Sequence, residues 1–285
     1  EPREKYPVSE DNVIAFILDH LGHMPPALEQ HLIEQKFRRK RGPLKVSTLR
    51  RLLASLSVGH TEHGAISPTN TAQVRLLLRR AQQLQADQTK HQMRAITKDI
   101  LHKLIGTCDD SLRGTRDKAL LLVGFASGGR RRSELVNINI DNLQKIPTGY
   151  LLTVRKSKTD QTGKGHTVPI IGIAASALAT WLVQSGIRHG KLFRGILGNT
   201  TLTKGICGDA IHKIIKRRIA LIGLNPHEYG AHSLRSGFMT QAAQMGAALG
   251  DAMALSGHRS TNTAQHYYRH VEVLRNPTGY LLEDE

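Results

Sequence analysis

Cysteine is nearly absent: Cys108 and Cys207 are the only two in 285 residues. Two such distant residues exclude a disulfide framework and a cysteine-rich zinc module. Aromatic residues are scarce too, at 4%, which leaves little material for stacking unpaired bases. No apolar run approaches the roughly 20 residues needed to cross a bilayer, so no membrane-spanning helix is expected. Glu1-Pro2-Arg3-Glu4 shows no signal peptide, although a chain beginning with Glu leaves open what precedes it. The sequence has no phosphate-binding GxxxxGK[ST] loop, no HExxH and no paired CxxC. No set of carboxylates stands out to hold two magnesium ions. The expectation is an intracellular, cytoplasmic protein with no metal and no cofactor.

Charge is what the chain has in excess. Forty Lys and Arg against 23 Asp and Glu leave a net charge of +17. Up to residue 92, fourteen cations face nine anions; beyond it, twenty-six face fourteen. Both halves are therefore basic, and a field of that sign draws polyanions, most commonly nucleic acid. An anionic membrane is the rival partner. No long amphipathic helix with a Lys-rich face stands apart to serve it, so no membrane partner is expected.

The apolar periodicity predicts a helical module over residues 1–86. Residues 9–22 read as its first helix, with Ser9 or Asp11 as cap. A second runs from Pro26 to Gly42, a third covers Ser47–Leu56, and a fourth opens at Ser67-Pro68. In the fourth, Val74, Leu76, Leu77 and Leu78 are expected inward and Arg75, Arg79 and Arg80 outward. The polar stretch 82–94 supplies a linker, placed at 87–93. The second domain, 94–285, starts with helices at Thr97 and Arg116–Ser127. Two β-like runs, 150–154 and 166–170, then form a hairpin across a Gly/Lys/Asp-rich loop. Helices return at Ala174–Gln184 and Asp209–Leu221. The fold class is mostly α with a small β-sheet or hairpin (α+β). PTGYLL occurs at 147–152 and 277–282, too short to count as a repeat.

Four segments of the second domain carry chemistry. They are Gly128-Gly129-Arg130-Arg131-Arg132-Ser133-Glu134-Leu135; Arg155-Lys156-Ser157-Lys158-Thr159; His232-Ser233-Leu234-Arg235; and Gly257-His258, with Tyr267 nine residues on. Any one is weak alone. In this order and at these intervals they resemble the tyrosine recombinase (phage integrase) family, Cre/Xer-like site-specific DNA recombinases. The resemblance covers about 95–270, and the upstream module looks like the family's helical core-binding (SAM-like) domain. It implies a C-shaped clamp on double-stranded DNA, a homotetramer on two sites, and a nucleoid-associated location in a bacterium. No additional arm-binding domain is expected before the helical module.

The resemblance also implies roles. Arg131 and Arg235 bind the nonbridging phosphate oxygens as planar, permanently charged forks. Tyr267 attacks phosphorus, Lys158 protonates the leaving oxygen, and His232 and His258 hydrogen-bond the phosphate or move protons. The product is a 3′-phosphotyrosine bond, formed without metal or ATP. Sister chemistries are a type IB topoisomerase or a telomere resolvase; a non-catalytic DNA-binding regulator of the same fold is the rival of another class.

Several positions keep alternatives. The arginine triplet also suits a solvated basic face; the three-residue interval to Glu134 selects Arg131 and leaves Arg130 and Arg132 as DNA-backbone candidates. Glu134 either orients an arginine or caps the next helix. Lys158 competes with Lys156 and Lys164, and Lys156 also stands as a DNA contact. Tyr268 offers an alternative register to Tyr267. His266 and His270, four apart, and His60 and His63 read as exposed helix residues rather than metal ligands. In the first domain Arg38, Arg39, Lys40, Arg41, Arg50 and Arg51 are candidate phosphate contacts.

Overall fold

The structure is a computed structural model and describes residues 7–86, 93–154 and 165–275. The chain divides into two compact units, Glu1–His91 and Gln92–Glu285.

In the first unit, α1 (Glu10–Leu18) begins where the Asn12 amide donates to Ser9 Oγ at 3.2 Å. A π-helical turn, Asp19–His23, ends it, with Gly22 in the positive-φ region. The next helix, α2, spans only Pro26–Glu34, and Lys36 turns to φ 60°. It does not continue to Gly42 as the periodicity suggests. Five cations lie between Lys36 and Arg41, and stacking them on a helix would oppose like charges. Arg38 instead turns inward and bonds the loop, donating to the carbonyls of Lys40 and Gly42 and pairing with Glu29 at 3.0 Å.

Helix α3 (Val46–Glu62) packs on α4 (Ala72–Ala86) through Val46, Leu49, Leu53, Val74, Leu78 and Ala81. Leu76 faces solvent rather than the core. The polar end of α4 is structural: Gln85 takes the Val46 amide at 3.0 Å and donates to the Leu44 carbonyl. His60, expected at the surface, is fully buried, and its ring accepts from the Val8 amide at 3.1 Å.

The second unit opens with α5 (Lys98–Gly106) and α6 (Leu112–Ala126). A short α7 (Arg132–Leu135) leads to β1 (Leu143–Ile146), β2 (Gly149–Val154) and β3 (His166–Ile171), an antiparallel sheet in that order. The expected hairpin is present, with Val154 opposite His166, and β1 is an additional strand. Helix α8 (Gly172–Ser185) follows, then a small pair β4 (Ile196–Leu197) and β5 (Thr201–Leu202). The remaining helices are α9 (Gly208–Leu221), α10 (Ala231–Gln244), α11 (Leu249–Ser256) and α12 (Thr261–Arg275).

The main core gathers α5, α6, the sheet, α8 and α9 around Leu120, Leu152, Trp181 and Phe193. Burying side chains of this size contributes roughly 1.5–3 kcal/mol each. A buried ion network ties three helices. The Asp117 carboxylate of α6 accepts from Arg116, from Arg217 at 2.6 Å and from Arg218 at 2.8 Å, and Arg218 also donates to the Thr107 carbonyl after α5. A smaller core of Met239, Ala243, Ala252, Ala264 and Tyr268 joins α10, α11 and α12.

Candidate active site

The site forms where α6 ends. Gly128 and Gly129 both have positive φ. A Cβ on Gly128 would strike the Leu255–Ser256 backbone, and one on Gly129 the Arg235 backbone. Glycine is therefore required twice, for conformation and for close approach. The turn sends the two following arginines different ways. Arg130 is 2% exposed and donates to the carbonyls of Ser127 and Leu255. Arg131 stays partly open and pairs with Glu134 at 2.8 Å. The buried Glu134 carboxylate also accepts the Arg131 backbone amide and lies 3.7 Å from Arg130. Glu134 thus both orients arginines and caps α7.

Helix α10 brings His232 and Arg235. Arg235 is 1% exposed, yet it meets no carboxylate among the described residues. Its Nη1 donates to the carbonyls of Ser256 (2.7 Å) and Gly129 (3.3 Å), and Nε donates to His258 Nε2 at 3.2 Å. Its Nη2 has no partner, the only such buried side-chain polar atom among the described residues. Burial first, and then the neighbouring Arg131 charge, bring its pKa down to about 10. Stripping such a group of water without a partner is costly; a site built this way is complementary to an anion.

His258 follows Gly257, the left-handed residue closing α11. Burial, then the charges of Arg235 and Arg131, push its pKa down to about 4. The same causes lower His232. Both imidazoles are therefore held towards the neutral form. On α12 the Tyr267 ring lies 6.1 Å from that of His258. Tyr268, one residue on, points about 100° away, is buried in the small core, and donates its hydroxyl to the Ala247 carbonyl at 3.2 Å.

Two histidines join the site without a sequence signal. His166, at the start of β3, hydrogen-bonds the Leu255 carbonyl that also accepts from Arg130. The hairpin is thereby anchored beside Arg130. Lys156, Lys158 and Lys164 lie outside the described residues. His212 on α9 lines a cavity of about 390 Å³ together with Met93, Arg131, Arg132, Ser133 and His232. Neither histidine sits in a recognisable motif, so only the packing of β3 and α9 finds them.

The basic candidates separate into two groups. Arg39, Lys40, Arg50 and Arg51 are exposed, and exposed Arg41 donates to Gln30. Arg132 is open but pairs with Asp209 at 3.0 Å. Arg38 and Arg130 are corrections: both are buried and satisfied by carbonyls or carboxylates, so neither guanidinium is presented to a phosphate. His266 is exposed, and the side chain of His270 lies outside the described residues. Among the described residues no three His, Cys, Asp or Glu side chains gather as a metal site.

The phage integrase family model matches residues 94–273. The chain belongs to the phage integrase family. The matched span includes every site residue from Arg131 to Tyr267 and none of the helical unit. An integrase/recombinase xerD homolog of Selenomonas ruminantium is 34% identical over 175 residues, covering 59% of this chain and 51% of that protein. The chain spans about half the length of the curated relatives it matches. The Tn1549 transposon integrase, solved with circular intermediate DNA, shares the fold at a TM-score of 0.58 and 15% identity, over 93% of this chain and 91% of that one. The XerA recombinase does so at 0.52 and 18%, over 94% and 99%. At those identities the likeness shows the fold, and in both cases it extends over the helical unit as well.

Proposed function

We propose that this phage integrase family member is a site-specific recombinase that cuts and rejoins duplex DNA through a 3′-phosphotyrosine intermediate. The observation that carries this reading is the convergence of Arg131, Arg235, His232, His258 and Tyr267 at one place, with a buried guanidinium nitrogen left unpaired there. The relatives and structural neighbours named above, described as recombinases and integrases, support the same reading.

In the proposed reaction the Tyr267 phenolate oxygen bonds to phosphorus as the bond to the 5′ oxygen breaks. The phenol loses its proton during attack, with an uncharged imidazole of the site as acceptor. Lys158 gives a proton to the departing 5′ oxygen. Charge growing on the nonbridging oxygens is met by Arg131 and by the open Nη2 of Arg235. One phosphoester replaces another, so a 5′-hydroxyl from a second strand reverses the step without ATP. The two guanidinium forks supply the positive charge the transition state requires, and the reaction is proposed to run without a metal. Exchange between two duplexes calls for a homotetramer on paired sites.

A covalent-trapping assay in EDTA tests this. Duplex fragments from the gene's own neighbourhood, nicked so that the short 5′-hydroxyl strand is lost after attack, are incubated with the protein. An adduct on Tyr267 is expected, abolished in Tyr267→Phe and retained in Tyr268→Phe. Relaxation of supercoiled DNA without exchange points instead to a topoisomerase. Salt-sensitive binding to a demonstrated site with no adduct points to a non-catalytic regulator.

A further inference from the structure

Ser256, the last residue of α11, is 1% exposed and stands outside every motif the sequence displays. Its hydroxyl lies 2.7 Å from His258 Nδ1 and 3.4 Å from the Met253 carbonyl. Its own carbonyl accepts from Arg235 Nη1 at 2.7 Å. One residue therefore touches both the arginine and the histidine of the site.

The direction of these bonds follows from elementary chemistry. The Nε of an arginine always carries hydrogen, so it is a donor only. His258 Nε2, 3.2 Å away, must accept. A neutral imidazole with a bare Nε2 carries its proton on Nδ1. Among the described residues that proton has one partner within reach, Ser256 Oγ, whose own hydrogen then goes to the Met253 carbonyl. The chain runs in one sense: Arg235 to His258 to Ser256 to Met253. Reversing the serine would put a proton on Nε2 and set it against the arginine's N–H.

We propose that Ser256 is a positioning residue whose hydroxyl accepts a hydrogen bond from the Nδ1–H of His258, fixes that tautomer, and so holds the bare Nε2 on Arg235 Nε. Resting on the recombinase reading, the clamp has a catalytic consequence. Arg235 is fixed through Nε and Nη1, and Nη2 remains the arm for a phosphate oxygen. His258 enters the reaction with its one lone pair engaged by Arg235, as the group that orients that arginine beside the Tyr267 ring. The charged and titratable groups around it are Arg235, Arg131, His232 and Tyr267.

The test uses the full chain with 15N-labelled histidine, His258 being assigned by difference against His258→Gln. The bare and protonated ring nitrogens resonate far apart, so the spectrum reads the tautomer whether or not DNA is cut. The wild type is expected to carry the proton on Nδ1. Ser256→Ala removes the hydroxyl, and Ser256→Cys keeps the shape with only a weak sulfur acceptor. Both variants are expected to lose the single tautomer and to cleave the nicked duplex about tenfold more slowly in single turnover, with DNA affinity retained and each variant still folded at the assay temperature. A packing role predicts instead that Cys behaves as Ser. A proton on Nε2 in the wild type, or wild-type cleavage by both variants, overturns the proposal. Absence of any adduct on a demonstrated site removes the recombinase reading and the catalytic consequence with it; the spectrum still decides whether Ser256 sets the tautomer.

Discussion

Adjacent residues in this site do opposite work, and burial decides which does what. Arg130 and Arg131 follow each other, yet one is spent on main-chain carbonyls and the other stays open beside Glu134. Tyr267 faces His258 while Tyr268 is built into the core. Tyr268→Phe should therefore cost stability, about 1 kcal/mol for the missing hydroxyl bond, measured by urea denaturation. The depressed histidines make a pH prediction. His258 binds protons more weakly folded, at about 4, than unfolded, near 6.5. Between those values the unfolded chain holds more protons, so stability rises with pH. The contribution is complete above about 6.5 and is lost as pH falls towards 4. Melting temperatures across that window should fall less steeply in His258→Gln than in the wild type. The variant should keep part of the slope, because His20, His166, His212 and His232 are lowered as well.

The turn that follows α6 supplies Arg131 and helix α10 supplies Arg235, so the mutual placement of these two helices sets the spacing of the arginine forks. The glycine turn sets the approach at one end. Away from it, Asp117 secures α6 to α9 and to the end of α5. Removing the charge from a buried carboxylate that serves three arginines strands those cations. Asp117→Asn is expected to destabilise the second unit by about 3–5 kcal/mol, read as a lower urea midpoint with an unchanged slope. The network was not visible in sequence: Arg116-Asp117 and Arg217-Arg218 are a hundred residues apart, and each alone reads as an ordinary surface pair. The early stop of α2 was hidden for a related reason, since periodicity does not register the repulsion among Lys36–Arg41 or the inward turn of Arg38.

Across the whole molecule the excess of +17 is shared by both units, which predicts strongly salt-dependent DNA binding. Removing one cation that neutralises a phosphate should lower the slope of log K against log salt by about 0.9. Replacing exposed Arg39, Lys40, Arg50 or Arg51 by Ala is expected to flatten that slope without changing the melting temperature. Arg38→Ala is expected to do the reverse, leaving the slope and lowering stability, because its fork bonds Glu29 and the loop carbonyls. Fluorescence anisotropy at several salt concentrations, paired with thermal melts, separates the two classes.

The helical character of both halves, the hairpin, the basic charge, and the order and spacing of the Arg, His and Tyr motifs are all legible along the chain. These are local quantities: period, capping, interval and composition. Packing settled the rest: which of two neighbouring arginines or tyrosines faces the site, that His60 is core, and that His166, His212 and Ser256 belong to the site's surroundings. Such choices depend on which face of a helix meets another element. A side chain becomes a ligand, a clamp or a core residue only once that neighbour is in place.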